Sequence, residues 1–307
     1  MRISTLIVLF TSVILLTYCK NEQSDRRTSA NNTQGTSSPD AIELNEVNFP
    51  SFELIGEIDQ IFNRPESIVF DSTSKMLYVS NVGNDEGTEA DGYISKLNLH
   101  GQVIDSNWLE GLTNPRGMCI LGEMLLVADE NRILRIDIKS GKVIDKITSP
   151  DLKQLSDLEK DAEGTVYVTD TKLNSIYTLN NDRLQLWKND TALDGPAGLY
   201  HSGDQIWVTS AGGNKLMAVD IKSGKTRQIA DSLQNARGIT MIDQDLIVGG
   251  LSGLLYGVKA STDFRWPLID LQMQKDNFAD ILYIKEYDVL FVPTYKGNSV
   301  LAISVLN

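Results

Sequence analysis

Short apolar runs with a valine near the centre recur along the chain at almost equal intervals. They read Leu-Tyr-Val-Ser (77–80), Leu-Leu-Val-Ala (125–128), Val-Tyr-Val-Thr (166–169), Ile-Trp-Val-Thr (206–209), Leu-Ile-Val-Gly (246–249) and Leu-Phe-Val-Pro (290–293). Their valines, Val79, Val127, Val168, Val208, Val248 and Val292, lie 48, 41, 40, 40 and 44 residues apart. Ahead of each run stands a second landmark: Pro65-Glu-Ser-Ile68, Pro115-Arg-Gly-Met118, Leu155-Ser-Asp-Leu158, Pro196-Ala-Gly-Leu199, Ala236-Arg-Gly-Ile239 and Phe278-Ala-Asp-Ile281. A third strand follows, as in 131–137 and 214–220, then a polar turn and a fourth strand such as 142–147. The hexapeptide Asp-Ile-Lys-Ser-Gly-Lys fills two of these turns, at 137–142 and 220–225. No stretch carries a helical period.

Four short strands in every forty-odd residues is the signature of a propeller blade. The pattern therefore predicts an all-β, six-bladed β-propeller with four antiparallel strands per blade, spanning 49–307. A β-sandwich pair has no reason for six equal periods. The sixth repeat reaches Asn307 after its third strand. The spare segment Phe52-Glu-Leu-Ile-Gly-Glu-Ile58 is expected to supply the missing outer strand and close the ring, which removes exposed sheet edges.

Ahead of the repeats the pattern changes twice. Residues 1–19 join a short basic start to an apolar run, Leu6 to Leu16, and end at Cys19. That is a secretory signal pattern, and it is short for a span of about 20 apolar residues. Its end resembles a bacterial lipobox, with Tyr18 where a small residue is usual. The expectation is an exported cell-envelope protein lipid-anchored at Cys19; plain secretion and an uncleaved anchor are the alternatives. Residues 20–48 are polar and read as a flexible tether.

Charge and composition then exclude several partners. Lys and Arg number 28 against 41 Asp and Glu, a net charge of −13. Nucleic-acid binding needs a basic footprint, so no nucleic-acid partner is expected. Membrane contact is expected through the lipid anchor only, and the protein is expected to be a monomer. Two Cys and two His make neither a disulfide framework nor a three-His metal site.

A propeller brings the starts of its first strands to one channel mouth. The landmarks place Glu66, Arg116, Ser156, Asp157, Ala197, Arg237 and Asp280 there. One reading is a wet channel whose charges pair with one another; the other is a site for a small polar molecule. His100 and His201 map to the opposite face, and Cys119 reads as small core filler. The loop 81–92 is rich in acids and glycine but lacks EF-hand spacing. It reads as a solvated lid in preference to a Ca²⁺ loop.

These landmarks resemble the senescence-marker-protein (regucalcin), gluconolactonase and luciferin-regenerating-enzyme family of six-bladed propellers. The resemblance covers roughly 50–307 and rests on Glu66-Ser-Ile-Val-Phe-Asp71, Ser156-Asp157, Gly195-Pro-Ala-Gly-Leu199 and Ala236-Arg-Gly-Ile239. It implies one divalent cation, calcium or zinc, and hydrolysis of sugar lactones. Glu66 matches the family's first metal ligand, but Ala197 and Arg237 stand at the next two. A cation would therefore need a rearranged set of Glu66, Asp157 and Asp280, with Asp157 the catalytic carboxylate that activates water. Two functions follow. The first is a binding module for a small polar or anionic ligand held by Arg116, Ser156 and Arg237, with a degenerate metal centre. The second is a metal-dependent hydrolase of lactones or related esters.

Overall fold

The computed structural model describes residues 49–59, 61–84, 90–180 and 182–306. The expected signal (1–19) with Cys19, the tether (20–48) and part of the loop 81–92 lie outside the described residues.

The described residues form six antiparallel sheets of four strands. Blade one runs Pro65–Asp71, Met76–Asn81, Gly92–Asn98 and Val103–Leu112 in spatial order. Blades two to five repeat this meander. Blade six differs, because its outer strand comes from the far end of the chain. It is ordered Leu282–Ile284, Val289–Thr294, Ser299–Leu306 and then Ser51–Ile58. Phe52 pairs with Val305 and Ile58 with Val300, with one register shift between Leu54 and Gly56. The ring is closed by the expected segment, begun one residue earlier than the pattern suggested.

Burial explains why the second strands gave the clearest signal. In blade three every residue of Val166–Asp170 is buried, so its apolar run is continuous. The outermost strands, such as Lys142–Thr148, are mostly exposed and carry polar residues. Six apolar clusters hold the sheets together, each between two neighbouring blades. One joins Leu126 and Ile133 of blade two to Leu155, Val166 and Val168 of blade three. Another crosses the seam, joining Phe291 and Val300 to Ile68, Leu77 and Val79. Each such aliphatic side chain contributes roughly 1.5–3 kcal/mol when fully buried. Each blade is sandwiched on both faces, which a pair of sheets in a β-sandwich does not provide.

The first strands stand side by side around the axis: Pro65–Asp71, Pro115–Leu121, Leu155–Lys160, Pro196–Ser202, Ala236–Ile242 and Leu282–Ile284. Five of them break register at the landmark, for example between Leu155 and Leu158 and between Ala236 and Ile239. In blade six the same break separates the lone Phe278–Thr294 bridge from the Leu282–Phe291 pair. Such bulges leave residues off the ladder and re-aim their side chains. The freed backbone groups bond to the next blade. In blades one, three and four a hydroxyl on the second strand makes the link. Thr169 Oγ1 accepts the Asp157 N–H (2.9 Å) and donates to the Ala197 carbonyl (2.7 Å). Ser80 and Thr209 do the same for their neighbours. Blades five and six have Gly249 and Pro293 there. In these blades the landmark N–H groups bond directly across, Gly238 to Ala279 O (2.7 Å) and Asp280 to Glu66 O (3.1 Å).

Candidate functional site

The bulges turn two residues of each landmark toward the axis. The first of each pair is Glu66, Arg116, Ser156, Ala197, Arg237 or Ala279, and the second is Ser67, Gly117, Asp157, Gly198, Gly238 or Asp280. Glycine is needed at the second position where strands crowd. A Cβ on Gly238 would stand 2.6 Å from the Asp280 Cα. The paired residues, Arg116 apart, line an open cavity of about 20 Å³, with Glu66, Ser156, Asp157, Arg237 and Asp280 among them. That is room for about one water molecule.

The expected neighbours across the seam do meet. The Asp280 N–H bonds to the Glu66 carbonyl, and the Ser67 hydroxyl donates to Asp280 Oδ2 at 2.7 Å. Asp280 Oδ1 also accepts the Ile281 N–H at 2.8 Å. Asp157 is held in a similar way on the opposite side of the ring. Its Oδ1 accepts the Leu158 N–H (2.8 Å) and its Oδ2 the Leu199 N–H of the next blade (2.7 Å). Burial first, and then the charge of Asp280, push the Asp157 carboxyl well above the usual carboxylate range. Burial raises Asp280 to about 6, opposed by the Ser67 and Ile281 hydrogen bonds and reinforced by Glu66.

The sequence reading missed Glu159 and Ser67. Glu159 lies two residues beyond Asp157, on the same side of the strand. Burial, with Asp280 next, pushes it up to about 8. The period of two along Leu155–Lys160 was the available signal. Ser67 gave none, because its partner is 213 residues away.

The arginines complete the mouth. Arg116 Nη1 lies 3.5 Å from Glu66 Oε1, with both side chains largely buried. Arg237 is pushed below its usual range, chiefly by burial; Glu66 opposes this and Arg116 adds to it. Among the described residues, the buried Nε atoms of Arg116 and Arg237 have no acceptor. Buried donors are nearly always satisfied in folded proteins, so these two call for a partner.

The side chains at the mouth match poorly the cation that the resemblance implies. Among the described residues no three His, Cys, Asp or Glu side chains are grouped to hold an ion. Both oxygens of Asp157 and of Asp280 accept hydrogen bonds. Ala197 offers no donor atom, and Arg237 brings positive charge. The remaining titratable candidates lie elsewhere. His100 is exposed in a turn of blade one, and His201 Nε2 sits 2.9 Å from the Gly203 carbonyl. Cys119 is buried between blades two and three, where burial pushes its thiol up.

No protein-family model matches the sequence, and no curated protein matches it. Solved structures do share the fold. Virginiamycin B lyase from Staphylococcus aureus, solved as an inactive variant with quinupristin, is 16% identical, with a TM-score of 0.59 over 83% of this chain and 100% of that one. A streptogramin B lyase is 12% identical, with a TM-score of 0.61 over 83% of this chain and 98% of that one. The WD40 propeller domain of Doa1 is 13% identical, with a TM-score of 0.59 over 77% of each chain. At these identities the likeness is one of fold.

Proposed function

We propose that the protein is an exported, lipid-anchored propeller that binds a small anionic or polar molecule at its channel mouth. The observation that carries the binding reading is the pair of partly buried arginines whose buried Nε–H donors lack acceptors among the described residues. An unsatisfied buried donor costs about 1–3 kcal/mol, so a ligand oxygen that accepts from it regains that energy. A planar guanidinium suits a carboxylate or phosphate, whose oxygens can accept two bonds at once. Ser156, buried in the same cavity, offers a hydroxyl to a neutral part of the ligand. The anchor at Cys19 rests on the sequence pattern alone.

A second reading, a hydrolase acting on lactones or related esters, draws on the raised carboxyls of Asp157 and Asp280. Shifted groups beside a cavity are candidates for proton transfer. The kinship with lactonase-type propellers rests on the landmarks. A propeller of the same fold was solved as a lyase with quinupristin, so the scaffold is compatible with ligand and chemistry alike.

Calorimetric titration of the chelator-treated protein with acetate and with inorganic phosphate tests the binding reading. Saturable binding is expected, at least tenfold weaker in Arg237→Ala, since one charge-assisted hydrogen bond contributes about 1.5–3 kcal/mol. Absence of heat at millimolar anion, or a variant that binds like the parent, would refute it.

A further inference from the structure

Among Glu66, Arg116, Ser156, Ala197, Arg237 and Ala279, Glu66 is the one carboxylate, and it faces two guanidiniums. Its bond to Arg116 is a poor one. A carboxylate seated well on an arginine makes two parallel bonds of about 2.7–2.9 Å. Here a single contact of 3.5 Å joins Nη1 to Oε1. Among the described residues Oε2 accepts no hydrogen bond, and the Nε atoms of both arginines stay without an acceptor. The cavity beside Glu66, at about 20 Å³, has room for about one water and is lined by Glu66 and Arg237. A ligand carboxylate that takes the place of Glu66 opposite the two arginines displaces it from its single long contact.

We infer that Glu66 is a built-in stand-in for the ligand's acidic group, occupying the anion position of the free protein and swinging aside when a monoanion binds Arg116 and Arg237. The inference rests on the binding function proposed above and adds two properties to it. Glu66 lowers the affinity of the site by competing for it. It also selects against doubly charged ligands, because the displaced carboxylate stays close by and repels a second negative charge more strongly than a first.

The test compares wild type, Glu66→Gln and Arg237→Ala by calorimetry, with acetate and inorganic phosphate as probes. Removing one partly buried like charge is expected to tighten acetate about tenfold in Glu66→Gln, and phosphate by a larger factor. The change in the phosphate-to-acetate ratio separates competition from a merely structural role, which would weaken both alike. If Arg237→Ala loses acetate but Glu66→Gln binds both probes no more tightly than wild type, the stand-in is refuted while the binding function survives. If Arg237→Ala binds acetate like wild type, both fall. A wild-type measurement covers the case in which Glu66→Gln does not fold. The Glu66 carboxyl carbon resonance is expected to shift on saturation with acetate, and an unmoved resonance overturns the inference.

Discussion

Replacing Asp280 by Asn isolates the energetic cost of negative charge inside the ring. The Asp280 carboxyl is raised from 3.8 to about 6, mainly by burial. A raised value means that the folded state holds its proton more tightly than the unfolded chain does. Stability from this group is therefore full below about pH 4, is lost as pH climbs toward about 6, and stays lost above. Two pKa units correspond to at most ~3 kcal/mol. The side-chain amide of the Asp280→Asn variant carries no charge and can keep both bonds: its oxygen accepts the Ile281 N–H, and its nitrogen donates to Ser67 Oγ. Asp157 gains as well, because Asp280 is the second cause of its raised carboxyl. Asp280→Asn is expected to match wild type near pH 4 and to exceed it by about 1–3 kcal/mol near pH 7.5. Urea unfolding of both proteins across that range measures the difference, provided the slope with denaturant is shared. Carboxylates held low elsewhere, such as Asp137 and Asp220, act in both proteins and cancel. A difference that does not vary with pH, or a less stable variant near neutrality, would refute the reasoning.

Further outcomes follow from the same geometry. Gly238→Ala places a Cβ 2.6 Å from the backbone of Asp280 and is expected to cost about 1–3 kcal/mol. Gly56→Ala, whose Cβ would meet Ala302 at an ordinary 3.9 Å, is its control in thermal melts. A chain lacking residues 1–58 leaves the Ser299–Leu306 strand as an open edge and should aggregate on refolding, as light scattering would show. Cys19→Ala should leave the membrane fraction of expressing cells. Retention there at wild-type levels would count against the anchor.

The sequence displayed whatever repeats. The blade period and the six inner landmarks follow from the internal repeat, and the closing strand from the fourth strand that the sixth repeat lacks. The landmarks also put Glu66, Arg116, Ser156, Asp157, Arg237 and Asp280 at one opening. What stayed hidden depends on partners far apart in the chain. Asp157 meets Leu199 across 42 residues, and Asp280 meets Ser67 across 213. Neither bond leaves a local trace, so the sequence shows the two aspartates at the opening but not that each also links neighbouring blades. The bulge at each landmark was equally hidden, because a register shift is set by the neighbouring strand. Blade six shows this best: its landmark begins at Phe278, yet regular pairing starts only at Leu282.

The pairing of Ser51–Ile58 with Ser299–Leu306 also sets the order of events during synthesis. The first strand of the domain to leave the ribosome is among the last to find its partner, which is made about 250 residues later. Until then five blades can assemble while the sixth stays incomplete, an arrangement that favours slow, late-committing folding. A nascent chain stalled short of residue 299 would therefore have no finished ring, and no continuous channel mouth, to show for all that precedes it.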